Sequence, residues 1–76
     1  MKAVPLSDLR KHLGLTQAEV AAGADMPQAH VARLETRHAG GDDVKLSTLA
    51  RYVRGLGGTL EIDVVLGGKR FRLEST

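Results

Sequence analysis

The chain has no cysteine, which excludes disulfides and thiolate metal sites as sources of stability. It has no apolar run near the roughly 20 residues needed to cross a bilayer. Its first residues also lack the roughly 7–15-residue apolar stretch of a secretory leader. With neither cysteines nor an export signal, the cytoplasm is the expected compartment. Neither sign of charge dominates: 11 Lys and Arg stand against 9 Asp and Glu, a net of +2. That excludes a histone-like polycation but permits a local basic face. No Ser/His/Asp set or carboxylate pair occurs in a chain large enough to enclose a pocket, so catalysis is not expected. Size is short as well. The 76 residues suffice for one domain, residues 1–76, that removes only about 60 % of its unfolded surface from water. The missing stability has to come from close helix packing or from a second subunit.

What is present reads first as helices. Residues 1–5 form a short tail ended by Pro5. Ser7 is placed to cap a helix running to about Leu13, with Asp8 at its positive end and Leu6, Leu9 and Leu13 as an apolar stripe. Gly14 ends it. Thr16-Gln17-Ala18-Glu19 fits a capping box and opens a second helix to about Gly23, with Val20 and Ala21 inward. Alanines at 18, 21, 22 and 24 keep that helix slim enough for close crossing by another, although Gly23 weakens it by roughly 1 kcal/mol relative to alanine. Asp25 occupies the break, as a residue that tolerates left-handed geometry. Pro27 suits the first position of a third helix, whose buried stripe is Val31 and Leu34. His38 to Asp43 reads as a polar, glycine-containing loop. A fourth helix follows from about Ser47 to Leu56, with Leu46, Leu49, Ala50 and Val53 at helical spacing. Arg51 and Arg54 fall outside that stripe, on a solvated face rather than on a phosphate. Gly57-Gly58 stops it.

The period then changes from 3.6 to 2. Leu60, Ile62, Val64 and Leu66 share one face of a strand, Gly67-Gly68 is a two-residue turn, and Lys69 to Leu73 alternates again. Such a turn sets Leu66 opposite Lys69, Val64 opposite Phe71, Ile62 opposite Leu73, and Asp63 opposite Arg72 on the outer face. A hairpin over residues 59–74 is marginal in water by itself. Its apolar residues Leu60, Ile62, Val64, Leu66 and Phe71 are therefore the candidate dimer contacts. Whether the strands pair within one subunit or between two stays open. Lys69, Arg70 and Arg72 solubilise an exposed edge, and could also lie against DNA or an acidic partner.

The middle of the chain reads as a helix-turn-helix locked by Val20, Ala21, Met26, Val31 and Leu34, so that the second helix can project into a major groove. Near its start, Gln28 can both donate to and accept from adenine. Arg33 can read guanine or hold a phosphate. His30 and Arg37 are placed for backbone contacts. Gln17, at the start of the preceding helix, can grip a phosphate through its backbone N–H and side-chain amide. His30 and His38 stand two turns, about 12 Å, apart, too far to share an ion. Gly67-Gly68-Lys69 lacks the glycine pattern and following helix of a phosphate loop. No metal or cofactor is expected.

Leu15-Thr16-Gln17-Ala18-Glu19-Val20-Ala21 followed by Gln28-Ala29-His30-Val31-Ala32-Arg33-Leu34-Glu35 resembles the Cro/CI-type (XRE) helix-turn-helix family of phage repressors. The resemblance covers about residues 6–56 and implies a mainly α, lambda-repressor-like bundle. That family carries five helices; four are readable here. By resemblance, Gln17 contacts phosphate, Pro27, Gln28, Ala29 and Arg33 face bases, and Glu35 supports the fold. Asp25 replaces the usual turn glycine, Pro27 the usual Ser/Thr cap, and Ala29 a usual polar reader. These departures bear on base reading more than on fold, and Ala29 can touch a thymine methyl. The segment from Lys45 to Ile62, with its Leu-Gly-Gly break before a strand, is similar to type II antitoxins of the HigA/HipB style. In HipB-like relatives that strand pairs with its counterpart to build the dimer. The expected function is a homodimeric repressor on an inverted-repeat operator in double-stranded DNA, with a cognate toxin as the further partner that resemblance implies. The alternative is an interaction module whose chief work is holding the toxin, through the hairpin edge and the loop over residues 38–45.

Overall fold

The computed structural model describes residues 4–75, in the order of four helices followed by two strands. Helix α1 is Leu6–His12, and Pro5, extended at φ −62° and ψ 146°, stands directly before it. The proline carbonyl accepts the N–H of Asp8 at 3.1 Å. Ser7 therefore lies inside the first turn and caps nothing. The expected leucine stripe is also displaced. Leu6 is buried, whereas Leu9 and Leu13 are exposed. The inward neighbour of Leu6 is Arg10, one turn on, whose charge is taken up by a carboxylate of a later helix.

Helix α2, Gln17–Ala24, opens on the complete capping box. The Thr16 hydroxyl accepts from the Glu19 N–H at 3.1 Å, and the Glu19 carboxylate accepts from the Thr16 N–H at 2.9 Å. It runs one residue past Gly23 and ends on Asp25, left-handed at φ 54° and ψ 52°. Helix α3 is Gln28–Ala39, with Pro27 as its cap rather than its first helical residue. It continues through His38 and Ala39, expected in the loop, and the chain turns at Gly41 with φ +80°. Helix α4 is Leu46–Gly55, displaced by one residue from the expected span.

The core contains Leu6, Val20, Ala21, Ala24, Met26, Val31, Leu34 and Tyr52, with Leu15, Val44, Leu49 and Leu56 against it. All five residues of the expected helix-turn-helix lock are in it. The α4 stripe needs correction. Leu46 is exposed, while Tyr52, outside the expected set, is wholly enclosed. The inward face of α4 keeps the expected Leu49 and Ala50, with Val53 half-buried, and extends to Tyr52 and Leu56; Arg51 beside them is half-buried too. Helix α4 crosses α2 at glycine. A Cβ on Gly55 would stand 2.6 Å from the Val20 carbonyl oxygen, and one on Gly23 would stand 3.1 Å from the Gly55 oxygen. The penalty of Gly23 in α2 has this close approach as its reason.

Strands β1, Glu61–Leu66, and β2, Lys69–Ser75, form an antiparallel hairpin, somewhat displaced from residues 59–74. Gly67 and Gly68 both take positive φ, 55° and 81°, as a tight primed turn demands. Leu66 faces Lys69, Val64 faces Phe71 and Asp63 faces Arg72, as the alternation predicts. Beyond Asp63 the register slips, and Ile62 faces Glu74 instead of Leu73. The slip is a β-bulge, with Leu73 as its extra residue. Asp63 accepts from Arg72 and, at 3.4 Å, from Arg70, and Arg72 also meets Glu61 at 2.7 Å. Two of the three basic residues of β2 are therefore engaged within the hairpin. Every residue of β2 is exposed.

Candidate nucleic-acid interface

Helix α3 buries Val31, Leu34 and Glu35 and turns its opposite side outward. Gln28, Ala29, Arg33 and Arg37 are exposed, His30 is half-buried, and Pro27 is exposed just before them. From His30 onward, the side of α3 that carries Arg33 and Arg37 borders an open groove of about 710 Å³. His30, Arg33 and Arg37 line it from α3, with Asp43, Val44, Lys45 and Thr48 on the other wall. Three of the expected contact residues are thus brought together in a groove whose Lys and Arg outnumber its one carboxylate. Gln28, Ala29 and Pro27 sit apart from it, at the leading end of α3. Lys45 and Thr48 were not singled out from the sequence; their place is fixed by the fold of the connecting loop.

Gln17 is tied into a second feature. The Glu35 carboxylate lies between all four helices. Its Oε2 accepts from Arg10 Nε at 2.7 Å and from the Tyr52 hydroxyl at 2.6 Å. Its Oε1 accepts from Gln17 Nε2 at 3.1 Å and Arg10 Nη2 at 3.2 Å. Arg10 Nη1 also donates to the Leu15 carbonyl at 3.0 Å. A carboxylate only accepts, so the Gln17 amide must turn its NH₂ inward, leaving the second N–H of that group uncommitted. Burial opposes ionisation of Glu35, but hydrogen bonds from Arg10, Tyr52 and Gln17 outweigh it and hold the carboxyl below its ordinary value. Burial and the adjacent carboxylate push the Tyr52 phenol up. The network locks α1, α2 and α4 onto the buried side of the helix whose outer side carries Gln28 and Arg33. Neither Arg10 nor Tyr52 was expected in it; the available signal was Arg10 falling one turn after Leu6.

Arg51, expected on a solvated face, instead reaches the end of α2. Its Nη2 donates to the carbonyls of Ala24, at 3.3 Å, and Asp25. Of the expected dimer residues, Leu60, Ile62 and Val64 are half-buried, and Leu66 and Phe71 are exposed.

Residues 6–62 match the family described as Helix-turn-helix. The chain belongs to the helix-turn-helix family. This helix-turn-helix chain is 41 % identical over 73 residues to the candidate antitoxin HigA2 of Mycobacterium tuberculosis (strain ATCC 25618 / H37Rv), covering 96 % of this chain and 70 % of that one. Among solved structures it is similar to a HigA antitoxin described as bending DNA through a unique dimerisation. The TM-score is 0.79 at 39 % identity, with 96 % of this chain and 95 % of that chain covered. It is also similar to DNA-bound antitoxin HigA3, with a TM-score of 0.82 at 37 % identity, covering 97 % and 94 %. These likenesses span the hairpin as well as the helix-turn-helix bundle. No helix among the described residues is long and apolar enough to cross a membrane.

Proposed function

We propose that this chain is a sequence-specific DNA-binding repressor of the HigA antitoxin type, acting as a homodimer on an inverted repeat. The observation that carries the proposal is the two-sided build of α3. Its inner side is locked by Val31, Leu34 and the Glu35 network, and its outer side presents Gln28, Ala29, Arg33 and Arg37 to solvent. A major groove admits such a helix, and its leading side chains then meet base edges. Gln28 and Ala29 read bases, with Pro27 at their margin. Arg33 reaches a base or the adjoining phosphate. Gln17, His30 and Arg37 hold the sugar–phosphate strands, Gln17 through its free amide N–H and its backbone N–H at the start of α2.

The DNA-bound HigA3 and the dimeric, DNA-bending HigA support carrying both DNA and dimerisation over to this chain. Leu60, Ile62, Val64, Leu66 and Phe71 are the dimer contacts. The two-fold axis would separate the two α3 helices by about one turn of DNA, roughly 34 Å. Binding to an operator in double-stranded DNA supports the cytoplasm as its compartment. Antitoxin relatives add a cognate toxin as a second partner, for which the hairpin edge is the available docking element. Within residues 1–76, the bundle over residues 6–56 reads DNA and the hairpin assembles the dimer.

The test is a gel shift on the DNA upstream of the chain's own gene, run against a scrambled duplex at several salt concentrations. Affinity should fall steeply with salt, through release of counterions. Gln28→Ala and Arg33→Ala should each narrow the gap between operator and scrambled DNA, by about 1–3 kcal/mol of discrimination. Gln17→Ala should weaken both duplexes alike. Equal losses on the two duplexes for all three variants would refute these roles.

A further inference from the structure

Helix α2 differs from the other three described helices in having no basic residue in its last turn. A helix C-terminus leaves carbonyls unpaired and carries the negative end of the dipole. In α2 part of this need is met internally, since the Met26 N–H donates to the Ala21 carbonyl at 3.1 Å and closes a left-handed turn. That turn runs through Asp25 at φ 54°, where glycine would fit without the steric penalty of a Cβ. The carbonyls of Ala24 and Asp25 are met from outside, by the Arg51 guanidinium of α4. The crossing at Gly23 and Gly55 makes this reach possible. It brings α4 against α2, with Arg51 one helical turn before Gly55 and level with the α2 terminus.

We propose that Arg51 is a positioning residue for DNA recognition. It clamps the left-handed turn from outside the two-helix unit and so sets the angle at which α3 presents Gln28 and Arg33. The inference rests on the DNA-binding reading above and extends it to a residue that does not touch DNA. Arg51 lies in a shallow recess with Gly23, Ala24, Asp25 and Arg54, separate from the groove of His30, Arg33 and Arg37. Base reading tolerates displacements of only about 0.5 Å, so a turn that relaxes from its left-handed state misaims the short helix that follows it. A direct phosphate ligand and a turn clamp leave different marks. The first contributes to every duplex and to the salt slope; the second contributes to the operator alone.

The experiment compares wild type, Arg51→Ala, Arg51→Lys, Asp25→Gly and the Arg51→Ala/Asp25→Gly double variant on operator and scrambled duplexes across salt. Arg51→Ala should lose about tenfold on the operator, the scale of one hydrogen bond from a charged donor, with little change on scrambled DNA and an unchanged salt slope. Arg51→Lys should retain most of the affinity. The double variant should recover it, because glycine takes the turn unaided. Equal loss on both duplexes with a slope lower by about one overturns the proposal in favour of a phosphate contact. A lowered melting temperature with full operator affinity overturns it in favour of a purely structural role. Amide exchange at Met26 reads the clamp without DNA. It should quicken in Arg51→Ala and slow again in the double variant, and an unchanged rate sinks the clamp. Failure of wild type to bind the operator would instead sink the functional reading, leaving the exchange result to stand separately.

Discussion

Glu35 is only 7 % exposed, and a carboxylate in that position survives because both its oxygens are occupied. Arg10 supplies two donors, Gln17 and Tyr52 one each. A buried ion pair of this kind is weak evidence of net stabilisation, but removing one partner strands the other. Glu35→Gln keeps the shape and leaves the Arg10 guanidinium, 11 % exposed, without its counter-charge. It should lower stability by about 3 kcal/mol, measured by urea unfolding at neutral pH. The pH dependence has a definite sign. The Glu35 carboxyl is held below its ordinary value of 4.5, so the unfolded chain takes up the proton first on acidification. Its contribution is complete above about pH 4.5 and is lost as pH falls through the folded-state value. Wild-type stability should therefore decline more steeply below pH 4.5 than that of Glu35→Gln. Parallel curves for the two proteins would remove Glu35 as the cause.

At the scale of elements, α2 and α4 depend on two residues with no side chain. Alanine at Gly55 gains roughly 1 kcal/mol in helix propensity. Its Cβ, however, would meet the Val20 oxygen at 2.6 Å and the Ala24 Cβ at 3.0 Å, backbone and core that cannot swing aside. Overpacking of this kind costs about 1–3 kcal/mol, so Gly55→Ala should be net destabilising, with a melting temperature lower by several degrees. Gly23→Ala, with its nearest contact at 3.1 Å, should cost less. A Gly55→Ala protein at least as stable as wild type would contradict the crossing. The same elements show what the sequence could reveal. The capping box, the left-handed Asp25 and the paired turn glycines are local chemistry, and each was legible where it stands. The lock from Val20 to Leu34 was legible through its period. Ser7, Leu9, Leu13 and Leu46 misled because each short helix offers more apolar or capping positions than its neighbours can cover. Tyr52, Arg10 and Arg51 stayed hidden for the converse reason, as polar side chains whose partners lie 17 or more residues away. In the candidate interface, the outward face of α3 could be read from the helical period. The opposite wall, Lys45 and Thr48, depends on how the loop after α3 folds back.

The whole molecule exposes more surface than its mass requires. A compact monomer of 8.1 kDa should present about 4,500 Å², whereas this chain presents 5425 Å². The difference is close to the roughly 800 Å² that each partner contributes to a standard interface. The long axis of 41 Å against 23 and 22 Å and the exposure of all of β2 fit a hairpin awaiting cover. Its two faces are chemically distinct. Asp63 with Arg70 and Arg72 occupies one, together with Val65; Val64, Leu66 and Phe71 occupy the other, with Lys69 at its turn end. Phe71 and Val65 are similarly exposed, at 51 % and 58 %, so exposure alone cannot distinguish them. If the apolar face forms the dimer, Phe71→Asp should yield monomers in sedimentation at micromolar concentration. It should also lower operator affinity by more than any single base-reading variant, because both half-sites are then bound separately. Val65→Asp, on the ion-paired face, should leave dimer and affinity nearly intact. Equal dissociation by the two substitutions would mean that the subunits join along a strand edge, and a monomeric wild type would remove the two-fold operator with it.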